Sequence, residues 1–274
     1  MDTALRMYLR EPISSSELER RWTETRKAMS REGIDCLVMQ NSNEFLGGYV
    51  RWFTDIPAIQ GYPVTVIFPI DDEMTMITSG GKPAPPAAPP WIFRGVKERV
   101  ALPYFLSMNY TNTMDAAETV AKLEARNAKR IGIVGKGFMS AVFYDYLEER
   151  LSGRELLDAT ELVDQIKAVK SAEEIELIRR SAAIQDAAWA AVAAIAIPGR
   201  REFEIRSELQ RLLVDMGSEE QWIMIGSSSP SDGMPRQKPT YLQNRILQPG
   251  DLLNIMIEVN GPGGYYTELA RTLC

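Results

Sequence analysis

The sequence contains no histidine among its 274 residues. This absence excludes Ser-His-Asp and Cys-His nucleophile pairs, HExxH zinc sites and every imidazole general base within the printed chain. Any chemistry that these residues perform must therefore use carboxylates, lysine, tyrosine, serine or cysteine.

Cysteine is almost as scarce. Cys36 lies in an apolar run and Cys274 is the last residue printed. Two cysteines so placed cannot form a disulfide framework or a thiolate metal cluster. We expect Cys36 to be an inert core residue.

Long hydrophobic runs and an excess of positive charge are also missing. No stretch approaches the roughly 20 apolar residues needed to span a bilayer. The first ten residues contain the charged residues Asp2, Arg6 and Arg10, where a signal peptide would have an apolar core. The net charge is -6, with lysine and arginine interspersed among acidic residues. We therefore expect a cytoplasmic protein that binds neither nucleic acid nor a membrane.

What is present suits two globular domains, since 45% of the residues are hydrophobic and 25% are charged. Strand and helix patterns alternate in residues 1–169, which predicts an α/β domain. Ser171-Ala172-Glu173-Glu174 forms a capping box that opens a long alanine-rich helix, and strands and loops follow from Gln221. Residues 170–274 are therefore predicted to form a second, α+β domain.

The individual elements follow from periodicity and from turn residues. Predicted strands of the first domain are 35–40, 62–70, 74–78, 96–102 and 130–134. Predicted helices of the whole chain are 14–32, 115–126, 139–151, 158–168, 172–195 and 202–216. The proline-rich segment 82–90 is predicted to be an extended surface loop.

Two loops are weak candidates for a site. Residues 132–137, Gly-Ile-Val-Gly-Lys-Gly, lie between a strand and a helix, where backbone amides hold phosphate in some proteins, but a tight turn needs glycine in any case. Residues 226–233 contain four serines, and a serine nucleophile there would need Lys238 or a carboxylate as its base. A mobile loop is the alternative explanation.

The strongest constellation lies at the end of the chain. Residues 252–259 and 264–273 are predicted strands of a hairpin, joined by a glycine-rich turn. Glu258 and Glu268 are then expected to lie near one another across it. They are candidates for paired carboxylate chemistry, although ordinary hairpin carboxylates are far more common.

Three strings together resemble the pita-bread family of creatinase, prolidase and aminopeptidase P. They are Lys170-Ser171-Ala172-Glu173-Glu174, then Pro249-Gly250-Asp251, then Gly264-Tyr265-Tyr266-Thr267-Glu268-Leu269-Ala270-Arg271-Thr272. The last is especially similar to creatinases. The resemblance implies a creatinase-like α/β domain over 1–169 and the first half of a pita-bread domain over 170–274.

The resemblance also indicates what this chain lacks. The family's metallopeptidases have metal-binding aspartates where this chain has Met256 and Glu268, and a catalytic histidine near Gln237, Lys238 or Pro239. Their remaining ligands, a histidine and two glutamates, come from strands that follow the last residue here. We therefore expect no dinuclear metal centre and no cofactor.

The substrate contacts are expected to differ as well. Creatinases hold substrate with a glutamate where this chain has Ala270, and in the first domain Tyr62 or Arg51 would replace their aromatic and arginine contacts. Tyr265 and Arg271, inside the similar tract, are further candidates for substrate binding. The resemblance also implies a homodimer.

Three functions follow as hypotheses. The preferred one is hydrolysis of a C–N bond in a small polar molecule or short peptide without metal, with catalytic candidates Glu268, Glu258 and Lys238. The second is an inactive family member that acts as a binding or scaffold protein. The third is a fragment of a Xaa-Pro metallopeptidase.

Overall fold

The computed structural model describes residues 2–41, 48–57, 62–79, 89–102 and 114–274. Contacts within the chain divide it into two compact units, Met1–Lys170 and Ser171–Cys274. The first unit is built on one mixed sheet and the second on a smaller antiparallel sheet with two helices.

The described residues of the first unit form a six-stranded sheet in the order β4-β3-β2-β1-β5-β6. The pairs β1–β2 and β2–β3 are antiparallel, whereas β3–β4, β1–β5 and β5–β6 are parallel. The strands are β1 (Cys36–Asn41), β2 (Val64–Pro69), β3 (Met74–Ser79), β4 (Val96–Leu102), β5 (Arg130–Val134) and β6 (Glu155–Asp158).

Helices cover this sheet on both faces, so its central strands are buried throughout. The helices are α1 (Asp2–Leu5), α2 (Ser15–Glu32), α3 (Tyr49–Thr54), α4 (Met114–Ala125), α5 (Ala141–Arg150) and α6 (Thr160–Ala168). The side chain of Ser14 caps the start of α2, and Gly33 ends it in the left-handed conformation. These are the boundaries that the serine run and Gly33 predict.

Helix α1, helix α3 and strand β6 of the first unit were not predicted from the sequence. Helix α3 is buried on all sides, so it shows no amphipathic period. Strand β6 is a four-residue edge strand whose residues are exposed or half-buried, so it shows no alternation. The predicted loop 82–90 lies outside the described residues except for Pro89 and Pro90.

The second unit contains α7 (Ala172–Ile195), α8 (Glu202–Asp215) and the sheet β7-β8-β9. Its strands are β7 (Gln221–Ser228), β8 (Leu252–Asn260) and β9 (Tyr266–Leu273), all antiparallel. The capping box at Ser171 and Glu174 is present as predicted. The fold class, α/β followed by α+β, is confirmed.

Candidate active site

The sheet of the second unit has two chemically different faces. Leu253, Ile255, Ile257 and Val259 alternate along β8 and pack in one core with α7 and α8. The residues between them project from the opposite face. We call this the outer face, and the register of the three strands gives its members: Trp222, Met224, Gly226, Ser228, Leu252, Asn254, Met256, Glu258, Asn260, Tyr266, Glu268, Ala270 and Thr272.

One row of the outer face crosses all three strands. Trp222 on β7 lies opposite Glu258 on β8, and Glu258 lies opposite Glu268 on β9. Side chains directly opposite one another have Cβ atoms about 4.5–5.5 Å apart, and like charges so placed are destabilising. This row, which we call the Trp222 row, contains two acids and no base. The predicted proximity of Glu258 and Glu268 is confirmed.

The two carboxyl groups differ in environment. Glu258 is half-buried, whereas Glu268 is exposed. Burial, and then the charge of Glu268, raise the pKa of Glu258 above its ordinary value of 4.5. Because the folded state holds this proton more tightly than the unfolded state, the contribution of Glu258 to stability falls as pH rises through the folded-state pKa.

A loop segment crosses the outer face farther along the same strands. The Nε2 of Gln237 donates to Oδ1 of Asn254 at 3.1 Å, and Asn254 in turn donates to the carbonyl of Pro235. A Cβ on Gly226 would lie 1.8 Å from the carbonyl oxygen of Arg236. Only glycine therefore permits this crossing, which brings the Gln237 amide onto the face that carries Glu258.

A second polar cluster, which the sequence did not reveal, surrounds Glu202 at the start of α8. Its Oε1 accepts hydrogen bonds from the Ser227 amide, the Ser227 hydroxyl and Nζ of Lys238, at 2.7, 2.7 and 2.8 Å. The side chain of Glu202 is 0% exposed. The sequence places Glu202 shortly after Pro198-Gly199, and an acidic residue there favours the start of a helix. No pattern in the sequence indicates that Ser227 and Lys238 contact it.

Arg245 extends the Glu202 cluster toward the turn before β8. It donates to the Ser227 hydroxyl at 3.0 Å and makes a two-pronged ion pair with Asp251. The Arg245 guanidinium holds the pKa of Asp251 below its usual range. The Pro-Gly-Asp turn is thereby tied to β7 and α8.

The structure does not bring Lys238 to the two carboxylates. Lys238 pairs with Ile225 on the edge of β7 that faces away from β8, while Glu268 lies on β9. Three strand spacings of about 4.8 Å put roughly 14 Å between them. The ammonium group instead contacts Glu202, so the predicted role of Lys238 beside Glu268 has no support from its placement.

Tyr265 and Arg271 are also directed elsewhere. The Tyr265 hydroxyl donates to Oε1 of Glu174 at 2.5 Å, which joins the turn before β9 to the capping box of α7. Arg271 is exposed and lies three positions after Glu268 on β9. Because successive side chains of a strand point to opposite faces, Arg271 projects from the face opposite to Glu268. Neither side chain joins the Trp222 row.

The first-unit candidates occupy different surroundings. Arg51 on α3 is buried, and its charge acts on the carboxylate of Asp55, which also pairs with Arg94. Tyr62 is half-buried two residues before β2. The substrate-binding roles of Arg51 and Tyr62 stay predictions.

The two weak loop candidates have structural explanations. Gly132 packs against Leu37 and Ala159 without room for a Cβ, and Gly135 has a φ of +71° with its amide donating to the Thr160 hydroxyl. These contacts favour the tight-turn explanation over phosphate binding. In the serine-rich loop, Ser227 is buried against Glu202, and the Ser228 hydroxyl donates to the carbonyl of Gly233.

A metal ion does not fit the donor set of the described residues. Within the parts of the chain that the structure describes, no three acidic or cysteine side chains lie close enough together to hold one. Met256 on β8 lies directly opposite Ala270 on β9, and Met256 is 4% exposed. A thioether is a poor ligand for a hard divalent cation. No described helix is both long and apolar enough to span a bilayer.

Comparison with known proteins places the chain in a family. The model for the creatinase/prolidase N-terminal domain matches residues 21–169, and the model for metallopeptidase family M24 matches residues 176–274. Creatinase of Bacillus sp. (strain B-0618) is 26% identical over 273 residues, which cover 95% of this chain and 61% of that protein.

Solved structures share the fold. The Xaa-Pro dipeptidase of Bacillus anthracis matches with a TM-score of 0.68 at 17% identity. The match covers 94% of this chain and 65% of the dipeptidase chain. The X-Pro aminopeptidase of Thermotoga maritima MSB8 matches with a TM-score of 0.70 at 16% identity. This match covers 92% of this chain and 64% of the aminopeptidase chain. This chain thus spans somewhat less than two thirds of these proteins. It belongs to the pita-bread family of creatinase, prolidase and aminopeptidase P.

Proposed function

We propose that the chain hydrolyses a C–N bond in a small polar molecule or short peptide, without metal, and that Glu258 and Glu268 perform the chemistry. The observation that carries the proposal is the direct opposition of these two carboxyl groups on the outer face. Two like charges on neighbouring strands do not stabilise the sheet, so their presence here favours a functional role.

The two acids suit different steps because their environments differ. Glu258, whose pKa burial and the charge of Glu268 raise, keeps its proton to a higher pH than an ordinary glutamate and donates it to the leaving nitrogen as the C–N bond breaks. Glu268, which is exposed, accepts a proton from the attacking water and orients the substrate. The amide pair of Gln237 and Asn254 supplies neutral hydrogen bonds farther along the same face.

Substitution of Glu268 by glutamine tests this role. We expect the variant to lower kcat/KM by about 10²- to 10⁴-fold, the usual contribution of a general acid or base. The assay measures release of amine or ammonia from creatine, N-carbamoyl amino acids and Xaa-Pro dipeptides. Full turnover by Glu268→Gln on any substrate that the wild type hydrolyses would refute the proposal.

Two controls make the result specific. Glu149→Gln makes the same chemical change at an exposed position on α5 and should leave turnover unchanged. Glu268→Gln should itself be folded and at least as stable as the wild type in urea, because it removes repulsion of about 0.2–1 kcal/mol from the Trp222 row. A loss of turnover then reflects chemistry and not unfolding.

A binding protein is the second candidate. It is favoured by the buried Met256 at the place where the family's metallopeptidases carry a metal ligand, and by the absence of histidine from the sequence. In that case the wild type binds a ligand on the outer face and turns over none of the substrates above. The homodimer remains an expectation of the resemblance, as does a small or peptidic ligand.

A further inference from the structure

Strand β6 lies at one end of the first unit's sheet, and among the described residues it pairs only with β5. The amides of Glu155 and Ala159 donate to the carbonyls of Lys129 and Ile133. Because the backbone groups of successive residues in a strand point to opposite sides, those of Leu156 point away from β5. The outer edge of β6 therefore presents an amide and a carbonyl that another extended chain can pair with.

A cavity of about 440 Å³ lies beside this edge, between the end of α2, strand β6 and helix α6. Binding sites for small ligands and single side chains in proteins are commonly of roughly this size or somewhat larger. The apolar part of its lining consists of Ala28, Ile34, Leu157, Ala159, Leu162 and Ile166. All six are aliphatic, so the cavity suits an aliphatic side chain.

The cavity lies on one defined face of the sheet. Leu157 packs against the core that contains Met29 of α2 and Val163 of α6, whereas Leu156 packs against the core of α4 and α5. A strand added along β6 places every second side chain on the same face as Leu157. Such a strand therefore directs one of its side chains toward the cavity while its backbone pairs with Leu156.

The polar part of the lining carries charge. It consists of Arg31, Glu32, Asp158 and Gln165, all of which are exposed. Two carboxylates and one guanidinium leave an excess of one negative charge around an apolar cavity. This charge favours a peptide in which basic residues flank the aliphatic one.

We infer that β6 and this cavity form a docking site for an extended peptide. The peptide adds a strand along Leu156, inserts one aliphatic side chain into the cavity and places a basic residue near Glu32 and Asp158. Every residue of the site lies in the first unit, so the inference does not depend on the proposed hydrolysis.

The test is an NMR titration with the peptide acetyl-Lys-Thr-Leu-Thr-Lys-amide, which has leucine and both lysines on one face when extended. We expect chemical-shift changes centred on β6 and α6, and slower hydrogen exchange of the Leu156 amide. The same peptide with serine in place of leucine should bind at least about 10-fold more weakly, the usual effect of a buried leucine side chain. Glutamates in place of the lysines should also weaken binding.

Two variants separate the backbone pairing from the cavity. Leu156→Pro removes the outward amide and leaves the hydrogen bonds to β5 in place, and Leu156→Ala removes the same side chain but keeps the amide. We expect Leu156→Pro to bind the peptide at least about 5-fold more weakly than Leu156→Ala. Urea denaturation establishes that both variants are folded.

Gln165→Trp covers the cavity from an exposed position on α6 and should likewise weaken binding at least about 5-fold. Its matched control is Glu149→Trp, an equally large change at an exposed position on α5, which should bind the peptide as the wild type does.

Three results overturn the inference. The first is no binding of the peptide at millimolar concentration, or shifts confined to the second unit. The second is undiminished binding by Gln165→Trp, or equal binding by Leu156→Pro and Leu156→Ala. The third is dimerisation in analytical ultracentrifugation that Leu156→Pro abolishes, because a second copy of this chain would then be the occupant of the edge.

Discussion

Replacing Glu202 by alanine should lower the free energy of unfolding by about 3–5 kcal/mol, the usual cost of removing one partner from a buried ion pair. The carboxylate is 0% exposed and accepts from Ser227 through both its amide and its hydroxyl, and from Lys238. Without it, these donors lose their acceptor in the interior of the second unit. Urea denaturation measures the loss.

Two further variants show that the loss depends on burial. Glu208 also lies on α8, but its ion pair with Arg200 is partly exposed, so Glu208→Ala should cost less than about 1 kcal/mol. Lys238→Met should cost less than Glu202→Ala, because the carboxylate keeps its Ser227 donors. If Glu202→Ala stays within about 1 kcal/mol of the wild type, the Glu202 cluster does not stabilise the fold as argued.

The second large effect is expected in the first unit, at Asp55. Its carboxylate accepts from Nη2 of Arg94 at 2.5 Å and from the amide of Ile13 at 3.0 Å, and all three groups are buried. Asp55→Ala removes the acceptor and leaves a buried guanidinium without its counter-charge. We expect a loss of about 3–5 kcal/mol, measured by urea denaturation at pH 7.

The pH dependence separates charge from hydrogen bonding at this site. Burial raises the pKa of Asp55 to about 6, despite the opposing effects of Arg94 and Arg51. Its unfolded value is near 3.8, so the folded state binds the proton more tightly. The stability that Asp55 contributes is therefore greatest below about pH 4 and falls as pH rises to about 6.

Asp55→Asn isolates this titration, since the amide keeps an acceptor oxygen but carries no charge. The difference in stability between the wild type and Asp55→Asn should shift in favour of the variant as pH rises from 4 to 6. A difference that is constant over this interval, or that shifts toward the wild type, would show that Asp55 is ionised throughout and that its ion pair with Arg94 outweighs its burial.

The sequence predicted those parts of the molecule that local patterns determine. The capping box at Ser171 and the length of α7 follow from residues within four positions of each other, and β8 and β9 follow from alternation and from the glycine-rich turn. The proximity of Glu258 and Glu268 followed from the same hairpin. Short-range rules are sufficient for such features.

The missed features depend on contacts between distant segments. The Glu202 cluster joins residues 202, 227, 238 and 245, which no periodic pattern connects. The displacement of Lys238 from the carboxylates depends on which edge of β7 the chain returns to after the serine-rich loop. Helix α3 was missed because a fully buried helix has no polar side to give it a period.

The crossing at Gly226 also determines where this domain can change in length. The serine-rich loop is fastened at both ends, by the hydrogen bond between Ser228 and Gly233 and by the close passage of Arg236 over Gly226. Residues added between Ser229 and Asp232 lengthen an exposed turn at a small entropic cost. Residues added after Gly233 would displace Gln237 from Asn254 and Lys238 from Glu202 together. Insertions should therefore be tolerated within a window of about four residues, while the segment that follows this window is held to a fixed length by its contacts with the sheet.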